Sequence, residues 1–411
     1  MSTGEPFFRA LIKRVYWRLT WPNLYKRKTG DISQWGRFLA DLPDPKDEIQ
    51  KSNNQFRCRL FLFPQWYSFL ANIAGFFALG VETRRISRAS APHQQMAGKT
   101  LLLENENPRS VKSIDYLRLI PENLLSQTEP PLILQPSDIG QYLNPFAREI
   151  LKVCHKEYRF HYYFRYILLR ELARMSWILE AYRPVTIMVY AKERNVANAL
   201  LTAICEHENC SLVSFMHGDY QPNIAMAFMQ YSKYYVWHQY FVDMFVRTLR
   251  CDPEQFRIYQ PTRFLQIINP PDPEASYPYF LTYYFSGEDA IQVQKIHEIL
   301  CQIEHCGKRY KVRLHPRSPN NDIIIRTFPE GVIEKPTEID LATSFTMTKY
   351  VTALNSTVLL QAYYSGKSIV IDDSSDPDKY ASLVQQGTLA MSLEHDLLSS
   401  LIEKLETNSN E

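Results

Sequence analysis

Short, nearly uninterrupted apolar runs alternate along this chain with stretches whose apolar residues recur every three or four positions. Runs of the first kind predict buried strands, and stretches of the second kind predict helices. Residues 185–190 (VTIMVY) and 211–216 (SLVSFM) are apolar runs, and residues 195–207 between them have helical spacing. This strand–helix–strand order predicts two parallel strands joined by a right-handed crossover.

The second half of the chain repeats this alternation. Strands are predicted near residues 280–285, 311–314, 350–353 and 368–371, with helices near 289–306, 357–365 and 393–405. Residues 260–278 hold five prolines and little periodicity, which is typical of a linker. The pattern therefore predicts two α/β domains joined by a proline-rich linker, with an interdomain cleft. The expected parts are an N-terminal arm (1–50), an N-terminal domain (51–262), a linker (263–278) and a C-terminal domain (279–411).

Residues 60–81 contain no charged side chain over 22 positions, which is long enough for a transmembrane helix. Polar residues interrupt the run at Pro64, Gln65, Ser68 and Asn72 and lower its hydropathy. We therefore favour a strand at 59–63, a turn at Pro64 and Gln65, and a buried helix at 67–79 over a membrane span.

The first thirty residues are basic and aromatic. They contain seven Lys or Arg, one acid and six aromatic residues, and an apolar helical face runs from Phe8 to Leu19. This composition favours contact with an anionic membrane surface. The alternative is an arm that packs on its own protein. The net charge of the whole chain is only +2, which argues against a general nucleic-acid partner.

Seven cysteines form no C-x-x-C pair and lack the histidines of a zinc site. Their odd number predicts reduced thiols in an intracellular protein. The first apolar residues are interleaved with basic ones, so we expect no signal peptide. No glycine-rich phosphate loop and no Asp-x-Asp metal motif after a strand are present, so we expect neither a metal ion nor a cofactor.

Polar residues follow four predicted strands, two in each domain. They are 192–194 (KER), 217–219 (HGD), 315–317 (HPR) and 355–357 (NST). In open parallel sheets, ligands bind outside the carboxyl ends of the strands. The sequence therefore predicts one ligand site at these four positions, although a loop histidine, a helix N-cap or a tight turn would explain each motif alone.

Each position suggests a chemical role. His315, held by Pro316, could bind and protonate a departing phosphate. Ser356 and Thr357 open a helix, where free N–H groups favour an anion, and Asn355 precedes them.

Charged and turn residues complete the predicted site. Arg313 and Arg317 are candidates for pairing with a phosphate or carboxylate. Glu193 and Asp219 are candidates for accepting a proton from a hydroxyl group. His217 and Gly218 form the turn before Asp219 and are candidates for lining the cleft.

The stretches RLHPR (313–317) and NSTVLLQAYYSGKSIVIDD (355–373) resemble the HP and S-S/T motifs of bacterial sialyltransferases and polysialyltransferases. Similar layouts occur in Kdo transferases of capsule and lipopolysaccharide synthesis and in CDP-glycerol transferases. FMHGDY (215–220) is similar to the strand-plus-HG turn of the capsule enzymes. The resemblance spans about residues 184–373.

The resemblance implies a GT-B-type fold of two facing Rossmann-like domains, of which the C-terminal one holds the nucleotide. It implies that His315 assists the departure of CMP, and that Ser356 and Thr357 bind phosphate or the sugar carboxylate. The family's acidic base motif is absent, because SGEDA (286–290) inverts its order. The identity of the base therefore stays open. Glu193 is the first candidate and Asp219 the second, followed by Glu288 or Asp289.

The function expected from these features is an inverting, metal-independent transfer of an acidic 2-keto sugar from a CMP-activated donor to a bacterial surface glycan, free or lipid-linked. We expect a cytoplasmic enzyme peripheral to the inner membrane, attached through residues 1–30. One alternative is a transferase of the same fold that uses CDP-glycerol or a UDP-sugar. The other is a non-catalytic, membrane-associated glycan assembly protein.

Overall fold

The computed structural model describes residues 32–95, 97–104, 117–125, 130–261, 276–316 and 318–409. The chain forms two compact units, each built on a six-stranded parallel sheet. Unit 1 runs to Tyr259, except for residues 117–120 and the segment His217–Gln221. These two pieces belong to unit 2, together with the chain from Gln260 onward.

The sheet of unit 1 has the order β2-β1-β3-β4-β5-β6. Its strands are β1 (Thr100–Leu103), β2 (Leu132–Leu134), β3 (Thr186–Tyr190), β4 (Ser211–Phe215), β5 (Lys233–Val236) and β6 (Phe256–Ile258). Its helices are α1 (Ile32–Ala40), α2 (Glu48–Phe61), α3 (Gln65–Ser87), α4 (Pro145–Glu157), α5 (Tyr162–Tyr182), α6 (Asn198–His207) and α7 (Gln239–Asp243). A single π-helical turn, Met244–Thr248, continues α7.

The central strands of unit 1 are apolar because both faces of the sheet are covered. Ile187 and Met188 of β3 are fully buried, and Leu212 and Val213 of β4 are almost fully buried. The two strands pair in parallel from Thr186 opposite Ser211 to Tyr190 opposite Phe215. Helix α6 connects them, so the strand–helix–strand prediction for this region is confirmed.

The sheet of unit 2 has the order β12-β11-β10-β7-β8-β9. Its strands are β7 (Tyr279–Tyr284), β8 (Tyr310–Arg313), β9 (Ile333–Glu334), β10 (Thr348–Ala353), β11 (Ser368–Ile371) and β12 (Asp396–Leu397). Its helices are α8 (Ala290–His305), α9 (Asn321–Thr327), α10 (Leu341–Met347), α11 (Thr357–Tyr364), α12 (Pro377–Gln386), α13 (Leu389–Ser392) and α14 (Leu398–Ser409).

The core of unit 2 lies between the sheet and the helices α8, α9 and α14. Val293, Ile296 and Leu300 recur at three-to-four spacing on α8 and are fully buried against Leu281 and Val312 of the sheet. This is the amphipathic pattern from which the helix was predicted.

The α/β class and the two parallel sheets agree with the sequence prediction. The division after Tyr259 is close to the predicted linker, of which only residues 276–278 are described. The exact domain boundaries stay predictions. Residues 1–30, with their predicted membrane contact, lie outside the described residues.

The prediction for residues 59–81 is wrong in two respects. Residues 59–61 form the last turn of α2 and no strand. Pro64 precedes α3, which extends to Ser87 and leaves large apolar side chains exposed on one side. The apolar run misled the prediction because a helix with one packed and one exposed apolar face has the composition of a buried helix. Within the described ranges, no helix is both long enough and apolar enough to cross a bilayer.

Candidate active site

The order of strands in unit 2 places a topological switch point between β7 and β10. From β7 the chain proceeds outward to β8 and β9, and it then returns to β10 on the other side of β7. Ligands of open α/β sheets bind at the carboxyl ends of the strands at such a point. The predicted residues Asn355, Ser356 and Thr357 follow β10 directly, so they lie at the switch point.

Ser356 and Thr357 open helix α11. Ser356 has an extended backbone and caps the helix, and its Oγ accepts a hydrogen bond from the Val358 amide at 3.4 Å. The Thr357 Oγ1 accepts a hydrogen bond from the Asp219 amide at 3.2 Å. The hydroxyl hydrogen of Thr357 is still able to donate, because this bond uses only an oxygen lone pair.

The segment His217–Gln221 follows β4 in the chain but belongs to unit 2. Gly218 allows its close approach: a Cβ atom on this residue would lie 3.3 Å from the Thr357 Oγ1. The His217 Nδ1 and the Tyr220 hydroxyl share a hydrogen bond of 2.6 Å, which fixes the turn on the other side of Gly218. The HGD and NST motifs, 138 residues apart in sequence, therefore meet in one unit.

Asp219 is the carboxylate at this meeting point. Its Oδ1 is buried and has no hydrogen-bond partner among the described residues. Burial raises the pKa of Asp219 to about 7. A carboxylate with such a pKa is suited to exchange protons near neutral pH.

Tyr364, a neighbour of Asp219, was not predicted from the sequence. Its hydroxyl is buried and, within the described part of the chain, has no hydrogen-bond partner. Burial raises the pKa of Tyr364, and the nearby charges of Tyr363 and Asp219 add to this effect. Tyr364 lies seven residues after Thr357, two turns along the same face of α11. That spacing was the available signal in the sequence.

His315 follows β8, the strand beside β7 on the side away from β10. His315 is half-buried, and its carbonyl accepts a hydrogen bond from the Asn321 Nδ2 at 2.9 Å. The Asn320 Nδ2 donates to the Glu288 carbonyl at 2.8 Å, which ties this loop to the loop after β7. Pro316 is exposed, and Arg317 lies outside the described residues.

Two acids after β7 accept hydrogen bonds from neighbouring backbone amides. The Glu288 carboxylate is buried and accepts hydrogen bonds from the Ser286 amide at 2.7 Å and the Gly287 amide at 2.9 Å. Asp289 caps α8 through the amides of Ile291 and Gln292. These contacts favour a structural role for both acids over the role of catalytic base, for which they were the last candidates.

Arg313 is used inside unit 2. Its side chain is buried and forms an ion pair with Glu334, and its Nη2 donates to the Ile339 carbonyl at 2.8 Å. Leaving a buried partner unpaired is costly, so this guanidinium is held in place. Its contacts favour a structural role over the predicted contact with the donor.

Glu193 is likewise used inside unit 1. It is only 3% exposed, and its Oε1 accepts a hydrogen bond from the Tyr234 hydroxyl at 3.0 Å. The Gln55 Nε2 donates to the Glu193 carbonyl at 2.8 Å. A base has to reach its substrate, so these contacts favour Asp219 over Glu193 for that role.

Lys192 lies in a charged cluster at the carboxyl end of β3. Burial lowers the pKa of Lys192, and the positive charges of Arg170 and Arg174 lower it further, while Glu171 opposes them. Glu171 in turn pairs with Arg170 at 2.9 Å and accepts from the Asn195 Nδ2 at 3.1 Å. Arg170 and Arg174 come from α5 and were not predicted.

Comparisons with known proteins give only a remote likeness. No family model and no curated protein matches the chain. Among solved structures, the lipopolysaccharide outer core galactosyltransferase WaaB in apo form is similar at 9% identity, with a TM-score of 0.37 over 75% of this chain and 94% of that one.

Two further structures have similar scores. The wall teichoic acid polymerase TagF (H444N, with CDPG) is 11% identical, with a TM-score of 0.43 over 86% of this chain and 88% of that one. The Methanocaldococcus jannaschii UDP-GlcNAc 2-epimerase is 12% identical, with a TM-score of 0.38 over 77% and 93%. The three are named as a galactosyltransferase, a polymerase and an epimerase, and at such scores none of them assigns an activity to this chain.

Proposed function

We propose that this protein is a glycosyltransferase that moves an acidic 2-keto sugar from a CMP-activated donor to a bacterial surface glycan. The observation that carries the proposal is the meeting of two motifs at the switch point of unit 2. The HGD and NST segments are joined there by the hydrogen bond between the Asp219 amide and the Thr357 Oγ1. The HP motif follows β8, which is separated from β10 by one strand, β7.

The phosphate of CMP would bind at the start of α11. The N-terminal amides of a helix and its dipole attract an anion, and the hydroxyl groups of Ser356 and Thr357 add donors. One phosphate carries less charge than a diphosphate, so these groups suffice without a bridging metal ion. A metal-independent reaction is therefore part of the proposal.

His315 would assist the leaving group. β8 and β10 lie on either side of β7, so their carboxyl ends are two strand spacings apart, about 10 Å. A donor phosphate at the start of α11 would lie roughly this far from the loop that carries His315. The imidazolium donates a proton to the phosphate oxygen as the bond from that oxygen to the anomeric carbon breaks.

Asp219 would activate the acceptor. As the acceptor oxygen bonds to the anomeric carbon, its proton passes to the Asp219 carboxylate, and CMP leaves from the opposite side with inversion. The buried Oδ1 and the pKa of about 7 support this role. The hydroxyl of Tyr364 is placed near Asp219 and would hold the acceptor or the carboxylate.

A donor panel tests the proposal. CMP, CDP and UDP are added separately to the full-length protein, and its thermal unfolding is recorded. A ligand at 100 times its Kd stabilises a protein by about 2.7 kcal/mol. We expect CMP to raise the unfolding temperature most, and Ser356→Ala/Thr357→Ala to remove the effect.

Other outcomes of the same panel identify the alternatives. Selective stabilisation by CDP or UDP would indicate a transferase for CDP-glycerol or a UDP-sugar. Stabilisation by none of the three would favour a non-catalytic assembly protein. Either result would contradict a CMP-activated donor.

A further inference from the structure

Helix α3 has an apolar surface that nothing else in the described structure covers. Seven large apolar side chains on one side of this helix are between 44% and 68% exposed. They are Trp66, Phe69, Leu70, Ile73, Phe76, Phe77 and Val81. They recur every three or four residues, so they form one continuous stripe, here called the α3 face. Soluble monomers rarely expose a contiguous apolar surface of this kind without a partner.

The opposite side of α3 is packed within unit 1, so the exposure of the α3 face follows from how the helix is held. Gly75 allows α3 to approach α5 closely, because a Cβ atom there would lie 2.5 Å from the Tyr163 backbone. The Asn72 side chain donates to the Phe160 carbonyl at 2.8 Å and accepts from the Tyr163 amide at 3.2 Å. Glu82, the one acid of α3, is buried and accepts from the Gln141 side chain at 2.6 Å.

Exposed arginines continue the α3 face toward the end of the helix. Arg84 and Arg88 follow the same three-to-four spacing as the apolar residues, and Arg85 lies beside them. All three are exposed, and α3 exposes no acid to offset them. Beside the middle of the helix, Phe160 is also exposed, with the Arg159 guanidinium 4.7 Å above its ring. The surface thus combines apolar and aromatic side chains with the positive charge of these arginines.

We infer that the α3 face is a docking site for an anionic lipid surface. Aromatic and aliphatic side chains enter the boundary between headgroups and acyl chains, and arginines bind the phosphates of anionic lipids. At 23 residues, α3 is about 34 Å long, and it would lie in the plane of the interface.

Charge distinguishes an anionic lipid surface from two other candidate occupants of the α3 face. Residues 1–31 carry the same sign of charge as the arginines of α3, so they do not complement it. A second copy of the chain would bring two faces of the same sign together. An anionic lipid surface is the partner for which the apolar and the charged residues both contribute.

The first experiment measures binding of the full-length protein to vesicles. One set contains phosphatidylcholine with phosphatidylglycerol, and the other contains phosphatidylcholine alone. We expect the wild type to bind the anionic vesicles, and Phe69→Gln/Phe77→Gln to bind them at least about tenfold more weakly, because less apolar area is buried. Arg84→Gln/Arg88→Gln should weaken binding to the anionic set only.

A matched control is Ile291→Gln/Val384→Gln, which replaces two exposed apolar residues of unit 2, and it should bind like the wild type. The replaced phenylalanines are exposed, so the unfolding temperature should be unchanged. Wild-type vesicle binding by Phe69→Gln/Phe77→Gln, or no vesicle binding by the wild type, overturns the inference. A wild-type dimer that this variant makes monomeric would assign the face to a second copy and overturn it too.

The second experiment locates the contact. Brominated lipid quenches the fluorescence of a tryptophan that lies in the interface. We expect Trp66→Phe to lose much of the quenching seen with the wild type, and Trp17→Phe/Trp21→Phe to retain part of it. Quenching that survives in Trp66→Phe and disappears in Trp17→Phe/Trp21→Phe would assign membrane contact to the N-terminal residues alone. Because neither experiment requires transferase activity, its result is independent of the proposed function.

Discussion

At the scale of single residues, His315 carries the sharpest prediction. If it protonates the departing phosphate, His315→Ala should lower kcat about 10²–10⁴-fold, the usual range for general acid catalysis. The unfolding temperature should change little, because the residue is half-buried in a loop. Turnover is measured as release of CMP from the activated sugar that the donor panel selects.

His305→Ala is the matched control for this prediction. His305 is an exposed histidine in the last turn of α8, at the other end of the helix from the switch point. The control should keep the wild-type turnover rate. A His315→Ala enzyme that turns over as fast as this control would exclude the role in leaving-group departure.

Asp219 and Glu193 are separated by a second pair of variants. With Asp219 as the base, Asp219→Asn should lower kcat by about 10²-fold or more and leave CMP affinity unchanged, since in this proposal the carboxylate would face the acceptor and not the nucleotide. The wild-type kcat/KM should rise with pH through about 7, because the base acts only when deprotonated. The variant should lack this rise.

Glu193→Gln should remain active, with a loss of stability where its hydrogen bond from Tyr234 changes. An inactive but stable Glu193→Gln enzyme, together with an active Asp219→Asn enzyme, would return the role to Glu193.

The pKa of Asp219 also predicts how stability depends on pH. The folded state holds its proton up to about pH 7, whereas the unfolded chain loses it near 3.8. The folded state therefore binds more protons between these values, and the free energy of unfolding falls as pH rises through this window. The loss is at most about 4 kcal/mol, since one pKa unit corresponds to about 1.4 kcal/mol.

Asp219→Asn should remove this contribution. Denaturant unfolding at pH 5 and pH 8 should show a smaller difference for the variant than for the wild type. Asp378→Asn replaces an exposed carboxylate of the same unit and should keep the wild-type difference. Equal differences in all three proteins would show that Asp219 titrates as an ordinary exposed acid.

At the scale of elements, the start of α11 has two separable functions. Ser356→Ala/Thr357→Ala removes the N-cap, which should cost about 1 kcal/mol of stability, and removes two donors to the phosphate. We expect both a lower unfolding temperature and weaker CMP binding, measured by calorimetry. Asp340→Ala removes the cap of α10 in the same unit and should lower stability only. A double variant that resembles Asp340→Ala in both quantities would leave only the capping role.

Elements whose burial is uniform could be predicted from the sequence. Strands β3 and β4 and helix α6 are covered on all sides, so their apolar runs and spacing indicate them directly. Helix α3 could not be predicted correctly, because composition does not show which apolar side is packed. Short strands such as β9 and β12, each of two residues, have no pattern long enough to detect.

For the candidate site, too, some features could be predicted from the sequence and others could not. The NST and HP motifs were predictable, because polar residues after apolar strands mark the edge of a sheet where ligands bind. The use of Arg313 and Glu193 inside their own units was not, since it depends on Glu334 and Tyr234, which are remote in sequence.

At the scale of the whole molecule, membrane attachment would combine charge from residues 1–30 with the α3 face. Each basic residue near an anionic surface contributes about 1 kcal/mol, and this contribution is screened by salt. We expect the full-length variant Arg9→Gln/Lys13→Gln/Arg14→Gln/Arg18→Gln to bind anionic vesicles at least about tenfold more weakly than the wild type at low salt. Near 1 M salt, where the Debye length is about 3 Å, the two proteins should bind alike.

The apolar part of attachment should behave in the opposite way. Phe69→Gln/Phe77→Gln removes area that salt does not screen, so its deficit should persist at high salt. Vesicle sedimentation of both variants across a salt series measures the two contributions. If the N-terminal variant binds like the wild type at every salt concentration, residues 1–30 do not contact the membrane, and attachment depends on the α3 face alone. If both variants lose only salt-sensitive binding, the phenylalanines of α3 do not enter the lipid.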